Sequence, residues 1–255
     1  MAFFQLLGTG LVAAPDPAAT GRNRRLPASA LAHHIGTWLL LDVTPAILEQ
    51  AELALSVTHV ALTDPRPEVA LPHLRHLDGW LDAPATLLLA KGTASPFSSA
   101  ARSFTHLKTA ILAPETPTVV DDLTVTALPL DDGPGPGRWA FVVDTGKKRV
   151  LYAPNLLEVP ARLADRFSGN DLLVVDGLGW ESDVGPGEAL AGADARGNAG
   201  ALNRLVRWLD LRNEAVLFTH LGARTPPHAQ ASAAVRRASH RADVAFDQQK
   251  IPLGR

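Results

Sequence analysis

The chain contains no cysteine. That absence excludes a disulfide scaffold, a thiolate-ligated zinc, an iron–sulfur cluster and thiolate catalysis together, so any metal would have to be held by His, Asp, Glu or Asn. An excess of one charge is also missing. The 24 Lys+Arg against 26 Asp+Glu in 255 residues leave a formal net charge of -2, which excludes a basic nucleic-acid tail and an acidic disordered protein. No uncharged segment reaches the ~18 consecutive apolar residues that a membrane helix needs. Residues 1–15 carry no charge, yet they lack a basic region ahead of the apolar stretch: Arg22, Arg24 and Arg25 come after it, and Gln5 and Gly8-Thr9-Gly10 interrupt it. This opening reads as a strand and a turn rather than a secretion signal. The expected location is the cytoplasm, with neither membrane nor nucleic acid as partner. No Walker A sequence and no G-x-S-x-G elbow is present, so nucleotide phosphates and serine-hydrolase chemistry have no positive support.

What is present is 46% hydrophobic residues, enough for a sizeable core, in a length read here as a single domain over 1–255. Gly and Pro number 20 each, and so many turn-formers predict short, numerous elements instead of a helical bundle. Apolar runs bounded by turn residues predict strands at 3–7, 37–43, 57–63, 86–90, 123–130, 139–143, 149–153, 172–176, 215–219 and 244–246. Helical patterns fall at 46–55 after Thr44-Pro45, at 161–167 after Pro160 and at 199–211 after Asn198. Hairpin-like pairs occupy the middle of the chain, while strand–helix alternation occupies both ends. A doubly wound parallel sheet would alternate throughout. The pattern predicts an α/β protein built as a four-layer αββα sandwich, two mixed sheets packed face to face with helices outside.

Gly8-Thr9-Gly10-Leu11-Val12-Ala13 matches the G-x-G-x-x-A dinucleotide fingerprint. Its context fails, since Pro15 and Pro17 interrupt the helix that should receive the pyrophosphate and no carboxylate stands near residue 28. A dinucleotide-binding oxidoreductase is therefore the weakest reading, and a glycine turn the plain one. His73 and His76, at i and i+3, could meet one metal, but with Arg75 and Asp78 they read as a solvated helix face. His33, His34, His228 and His240 are assigned to surface or packing. More telling are polar residues that end apolar strands: Asp42 after Leu39-Leu40-Leu41, Thr63-Asp64 after Val60-Ala61-Leu62, Asp176 after Leu172-Leu173-Val174-Val175, and His220 after 215–219. Strand ends are where α/β folds place ligands, so these residues mark a site.

In this collinear order the chain resembles the metallo-β-lactamase fold superfamily over nearly its whole length. Leu7-Gly8-Thr9-Gly10 with the Arg-rich loop 22–25 looks like the start of the phosphodiesterase branch, and Leu40-Leu41-Asp42-Val43-Thr44-Pro45 is similar to the family's second strand. Tyr152-Ala153-Pro154, the segment from Asp171 to Gly177 and Trp180 resemble the branch that contains pyrroloquinoline quinone biosynthesis protein B. Phe218-Thr219-His220-Leu221 resembles the segment carrying the last metal-binding histidine. The resemblance implies an H-x-H-x-D-H motif after the strand at 57–63, and here that stretch reads Asp64-Pro65-Arg66-Pro67-Glu68-Val69. The next ligand histidine corresponds to Asp131 and the bridging aspartate to Asn155, so only His220 stands unchanged.

A zinc pair needs several neutral imidazoles with oriented partners, and one imidazole beside the fixed charge of Arg66 cannot supply them. Two readings follow. In the favoured one the site holds no cofactor: Arg66 pairs with neighbouring carboxylates or grips a small anionic molecule, and the fold serves as a ligand-binding or scaffold protein. Pro65 and Pro67 are expected to stiffen the loop that carries it. In the other, Asp64, Glu68, Asp131, Asn155 and His220 hold one Mg²⁺ or Mn²⁺ ion in a phosphodiesterase-like hydrolase of an ester or phosphodiester. There His220 and Asp64 would be catalytic and Arg66 would bind substrate.

Overall fold

Leu39, Leu40 and Leu41 are each fully buried, yet they do not share a core. Leu39 and Leu41 pack with Phe4, Leu6, Phe141, Tyr152 and Val174, whereas Leu40 packs with Phe3, Leu7, Val60, Leu74 and Leu77. Successive strand side chains point to opposite faces, so a strand apolar on both faces must be covered on both. The same alternation in Leu172-Leu173-Val174-Val175 sends Leu173 and Val175 to a third cluster with Phe218, Ala231 and Val235. Three apolar interfaces require four layers.

The computed structural model describes residues 1–10, 19–93, 97, 100–130, 137–156, 159–177, 213–221 and 225–254. The expected helix at 199–211, Asp131, Trp180 and Leu11-Val12-Ala13 lie outside the described residues. One seven-stranded sheet runs in the spatial order β14 (Gln249–Pro252), β1 (Phe3–Gly8), β2 (Ser29–His34), β3 (Thr37–Leu41), β4 (His59–Ala61), β5 (Ala85–Ala90) and β6 (Leu107–Leu112). The other runs β13 (Ala242–Val244), β12 (Val216–Thr219), β11 (Leu172–Asp176), β10 (Arg149–Ala153), β9 (Trp139–Asp144), β8 (Leu123–Pro129) and β7 (Thr118–Val120). Both sheets are mixed. From β14 to β3 and from β7 to β10 neighbours are antiparallel, and from β3 to β6 and from β10 to β13 they are parallel. The αββα sandwich expected from the sequence is the observed architecture.

On the outer face of the first sheet lie α1 (Pro45–Leu48), α2 (Ala51–Ser56) and α3 (Pro67–Asp78), and α4 (His228–Ala238) covers the second. The single helix expected at 46–55 is two short ones, broken at Gln50 with φ -130° and ψ 58°. At 161–167 only a 3-10 turn forms, Ala161–Leu163. The last parallel strand is Ala242–Val244 rather than 244–246. No helix among the described residues is long and apolar enough to cross a membrane.

The dinucleotide reading fails on topology, because β1 is antiparallel to both of its neighbours and so does not open a parallel βαβ unit. A buried carboxylate fixes the far end of α3. Asp78, 7% exposed, accepts from the backbone N–H groups of Thr105, His106 and Leu107, each at 2.8 Å. Burial works against its charge, but those backbone bonds outweigh it and hold the carboxyl below its ordinary value. This contribution is present above the unfolded-state pKa and is lost as pH falls through the lowered one. Asp78→Ala strands three donors at the start of β6, and is expected to cost about 2–4 kcal/mol in urea unfolding at neutral pH.

Candidate functional site

The site lies where β3, β4, β10 and β12 end. Each strand closes on a polar residue because its apolar run has reached the edge of the sandwich. Asp42 follows β3 with φ +63°. Its Oδ1 accepts from the Thr63 backbone N–H and its Oδ2 from the Thr63 hydroxyl, both at 2.7 Å. Beyond β10, the Asn155 Nδ2 donates to the Thr63 Oγ1 at 2.8 Å. The Trp139 N–H donates to the Thr63 carbonyl at 2.8 Å, so Thr63 joins the two sheets at this end. His220, after β12, is held at φ +58°. Its Nδ1 is 3.0 Å from the Oδ2 of Asp176, the last residue of β11 and only 4% exposed. In a neutral ring Nδ1–H donates to this carboxylate, which leaves Nε2 as the acceptor.

These residues surround a cavity of about 480 Å³, lined among others by Asp42, Thr63, Asp64, Arg66, Asn155 and His220. That volume lies in the range of ordinary small-molecule sites. Of the residues singled out in the sequence, Asp64, Arg66, Asn155 and His220 meet here. Glu68 does not line the cavity: it sits exposed on the first turn of α3. Asp131 lies outside the described residues.

Arg66 and Asp64 engage each other. The Arg66 Nε donates to both carboxylate oxygens of Asp64, at 2.8 and 3.0 Å, and Nη2 donates to Oδ2 at 2.5 Å. The Asp64 hydrogen bonds raise the guanidinium pKa further. The stretch is not the proline-stiffened loop expected from the sequence. Pro67 is the first residue of α3 and Arg66 its N-cap, because a proline at the first helical position gives up an amide that would have no partner there. The short turn that results brings the Arg66 side chain back onto Asp64.

Burial pushes the Asp42 carboxyl up to about 6, against the opposing hydrogen bonds from Thr63. Close to it lies a residue whose role the sequence did not reveal. The hydroxyl of Tyr152, the only tyrosine of the chain, is buried with Asp42 as its polar neighbour. Burial, then the Asp42 charge and the hydroxyl's interaction with that carboxylate, drives its pKa well above the usual phenol value. Only the neighbouring Ala153-Pro154 turn signalled that β10 ends at the site. Among the described residues no three His, Asp or Glu side chains gather in a way that could hold a metal ion. His73 and His76 do lie on α3, where the latter meets Trp80 edge-on at 5.4 Å. His228 is a packing residue, its Nε2 3.0 Å from the Val244 carbonyl oxygen.

A family model described as the beta-lactamase superfamily domain matches residues 37–221. Among solved structures, zinc-bound PqqB from Methylobacterium extorquens aligns with a TM-score of 0.71 at 19% identity, over 98% of this chain and 99% of that one. A diphosphatase of the PhnP family aligns with a TM-score of 0.72 at 17% identity, over 98% and 96%. Human tRNase Z, short form, gives 0.63 at 16% identity, over 99% and 100%. At such identities the likeness speaks for the fold. No curated protein matches the sequence.

Proposed function

We propose, from the premise that this chain belongs to the beta-lactamase superfamily, that it binds a small molecule in its strand-end cavity without a zinc pair. In this reading the 255 residues act as one cytoplasmic domain, a ligand-binding or scaffold relative of the quinone-cofactor biosynthesis protein B. The single observation that carries it is the Asp64–Arg66 pair. A carboxylate committed to a guanidinium is a poor metal donor, and the guanidinium's fixed charge opposes any cation placed beside it. The remaining described donors do not fit a zinc pair. Asp42 is taken up by Thr63, Asn155 offers an amide oxygen, and His220 is one imidazole.

The second reading, a hydrolase of an ester or phosphodiester using one hard cation, is favoured by the His220–Asp176 contact. A carboxylate behind one ring nitrogen is the arrangement that presents the other to a metal. The fold is one that hydrolases use, among them the PhnP-family diphosphatase and tRNase Z. Assay of bis(p-nitrophenyl) phosphate with Mn²⁺, Mg²⁺ or Zn²⁺ added decides between the two. The expected result is no turnover above background with any cation. Turnover abolished by His220→Ala would establish the hydrolase in its place.

A further inference from the structure

Among the described residues, the charges around the cavity do not pair off. Asp64 is matched by Arg66, whose side chain is 55% exposed at the cavity wall. Asp176 is matched by His220 whenever that ring is protonated. Asp42 is hydrogen-bonded by Thr63, has the Tyr152 hydroxyl beside it and is within reach of the His220 charge, but it makes no ion pair, and part of its surface still faces the cavity. The Tyr152 hydroxyl beside it is enclosed behind the cavity wall and can turn its O–H only toward Asp42. Asn155 spends its amide N–H on Thr63, and its Oδ1 has no hydrogen bond among the described residues. Among the described residues, Asp42 is thus the carboxylate at the cavity that has no cationic side chain in an ion pair with it. Apart from Thr44, the remaining wall is apolar, with Val43, Leu62, Val69 and Pro154 among its residues.

Resting on the binding function just proposed, we infer that the cavity takes a small organic cation, a protonated amine on an apolar body, seated with its nitrogen against Asp42. An ammonium group is all donor and no acceptor, the complement of a carboxylate and an amide oxygen. The apolar body fills the space between Val43, Leu62 and Val69. Arg66 then has a different role from the anion grip expected of it: by neutralising Asp64 it lowers the negative charge at the pocket mouth.

The test is calorimetric titration at neutral pH with three probes of similar shape: 2-phenylethylammonium, 3-phenylpropanol and 3-phenylpropionate. The ammonium is expected to bind about tenfold or more tightly than the alcohol, and the carboxylate more weakly still. Asp42→Asn should weaken ammonium binding about tenfold while the fold persists, because Asn can accept from the Thr63 N–H and donate to its hydroxyl in place of the two existing bonds. Arg66→Gln, at an exposed position, should tighten it by freeing Asp64. Equal affinity for the alcohol, unchanged affinity in Asp42→Asn, or no heat from any probe would overturn the inference. Binding of the carboxylate probe that is lost in Arg66→Gln would overturn it too, while leaving the metal-free pocket standing. A stoichiometric heat from Zn²⁺ alone would instead remove the metal-free reading itself.

Discussion

Asp42→Asn is expected to be more stable than the wild type near neutral pH, by about 2–3 kcal/mol. The wild-type carboxyl titrates near 3.8 when unfolded and at about 6 in the folded protein, so folding favours its neutral form. Below the unfolded value both states carry the proton and Asp42 costs nothing. As pH rises through the window from 3.8 to about 6, the unfolded state releases its proton first and wild-type stability falls. Above that window the loss is complete. The asparagine variant has no such slope, so the two unfolding midpoints should coincide at acid pH and diverge toward neutrality. Urea melts across the range would show it. A variant less stable than wild type at neutral pH would mean that the carboxylate is held for the fold alone. A charge kept at this cost in a cavity wall is what a binding site, rather than a structural cap, would retain.

Gly8→Ala is expected to destabilise the protein by about 3 kcal/mol, enough to remove much of a typical domain's stability. A Cβ at Gly8 would lie 2.2 Å from the Pro27 carbonyl oxygen and 2.7 Å from that of Leu26. Both are backbone atoms, so no side-chain rotation relieves the clash. The segment cannot retreat either. Gly10 N–H donates to the Leu26 carbonyl at 2.7 Å and Ala28 N–H to the Gly10 carbonyl at 2.8 Å, while the Asp247 carboxylate accepts from Leu26 N–H at 2.6 Å and from the Thr9 hydroxyl at 2.8 Å. Gly36→Ala is the control, since its Cβ would meet nothing closer than 3.8 Å, and it should change stability by no more than about 0.5 kcal/mol. Comparable thermal midpoints for the two variants would refute the close-approach account of the Gly8-Thr9-Gly10 turn.

Long aliphatic runs that pack on both faces of a strand are legible in the sequence, whereas β2, with Ala30, Leu31 and Ala32 equally buried but built on small residues and closed by His33-His34, is not among the expected strands. Leu39 to Leu41 and Leu172 to Val175 read as buried strands because both faces are apolar, and the polar residues that close them, Asp42 and Asp176, read as a site for the same reason. Elements with one open face were harder to see. β6 exposes Lys108, Thr109 and Ile111 at a sheet edge, β14 exposes Lys250 and Pro252, and α4 buries only Ala231 and Val235 as apolar residues, beside His228 and Ser232. The turn between β4 and α3 was misread because its outcome depends on one backbone choice. Once Pro67 starts the helix, Arg66 folds back on Asp64, and nothing in the spacing of Asp64, Arg66 and Glu68 announces that. The nearness of Tyr152 to Asp42 spans 110 residues of chain and two sheets, so only the folded register could reveal it.

The central claim is that the strand-end cavity has exchanged metal donors for an internal carboxylate–guanidinium pair. Elemental analysis of the protein purified without chelator tests this most directly. The account predicts zinc far below one ion per chain, unchanged after dialysis against excess Zn²⁺. Two tightly held zinc ions per chain in the wild-type protein would contradict it.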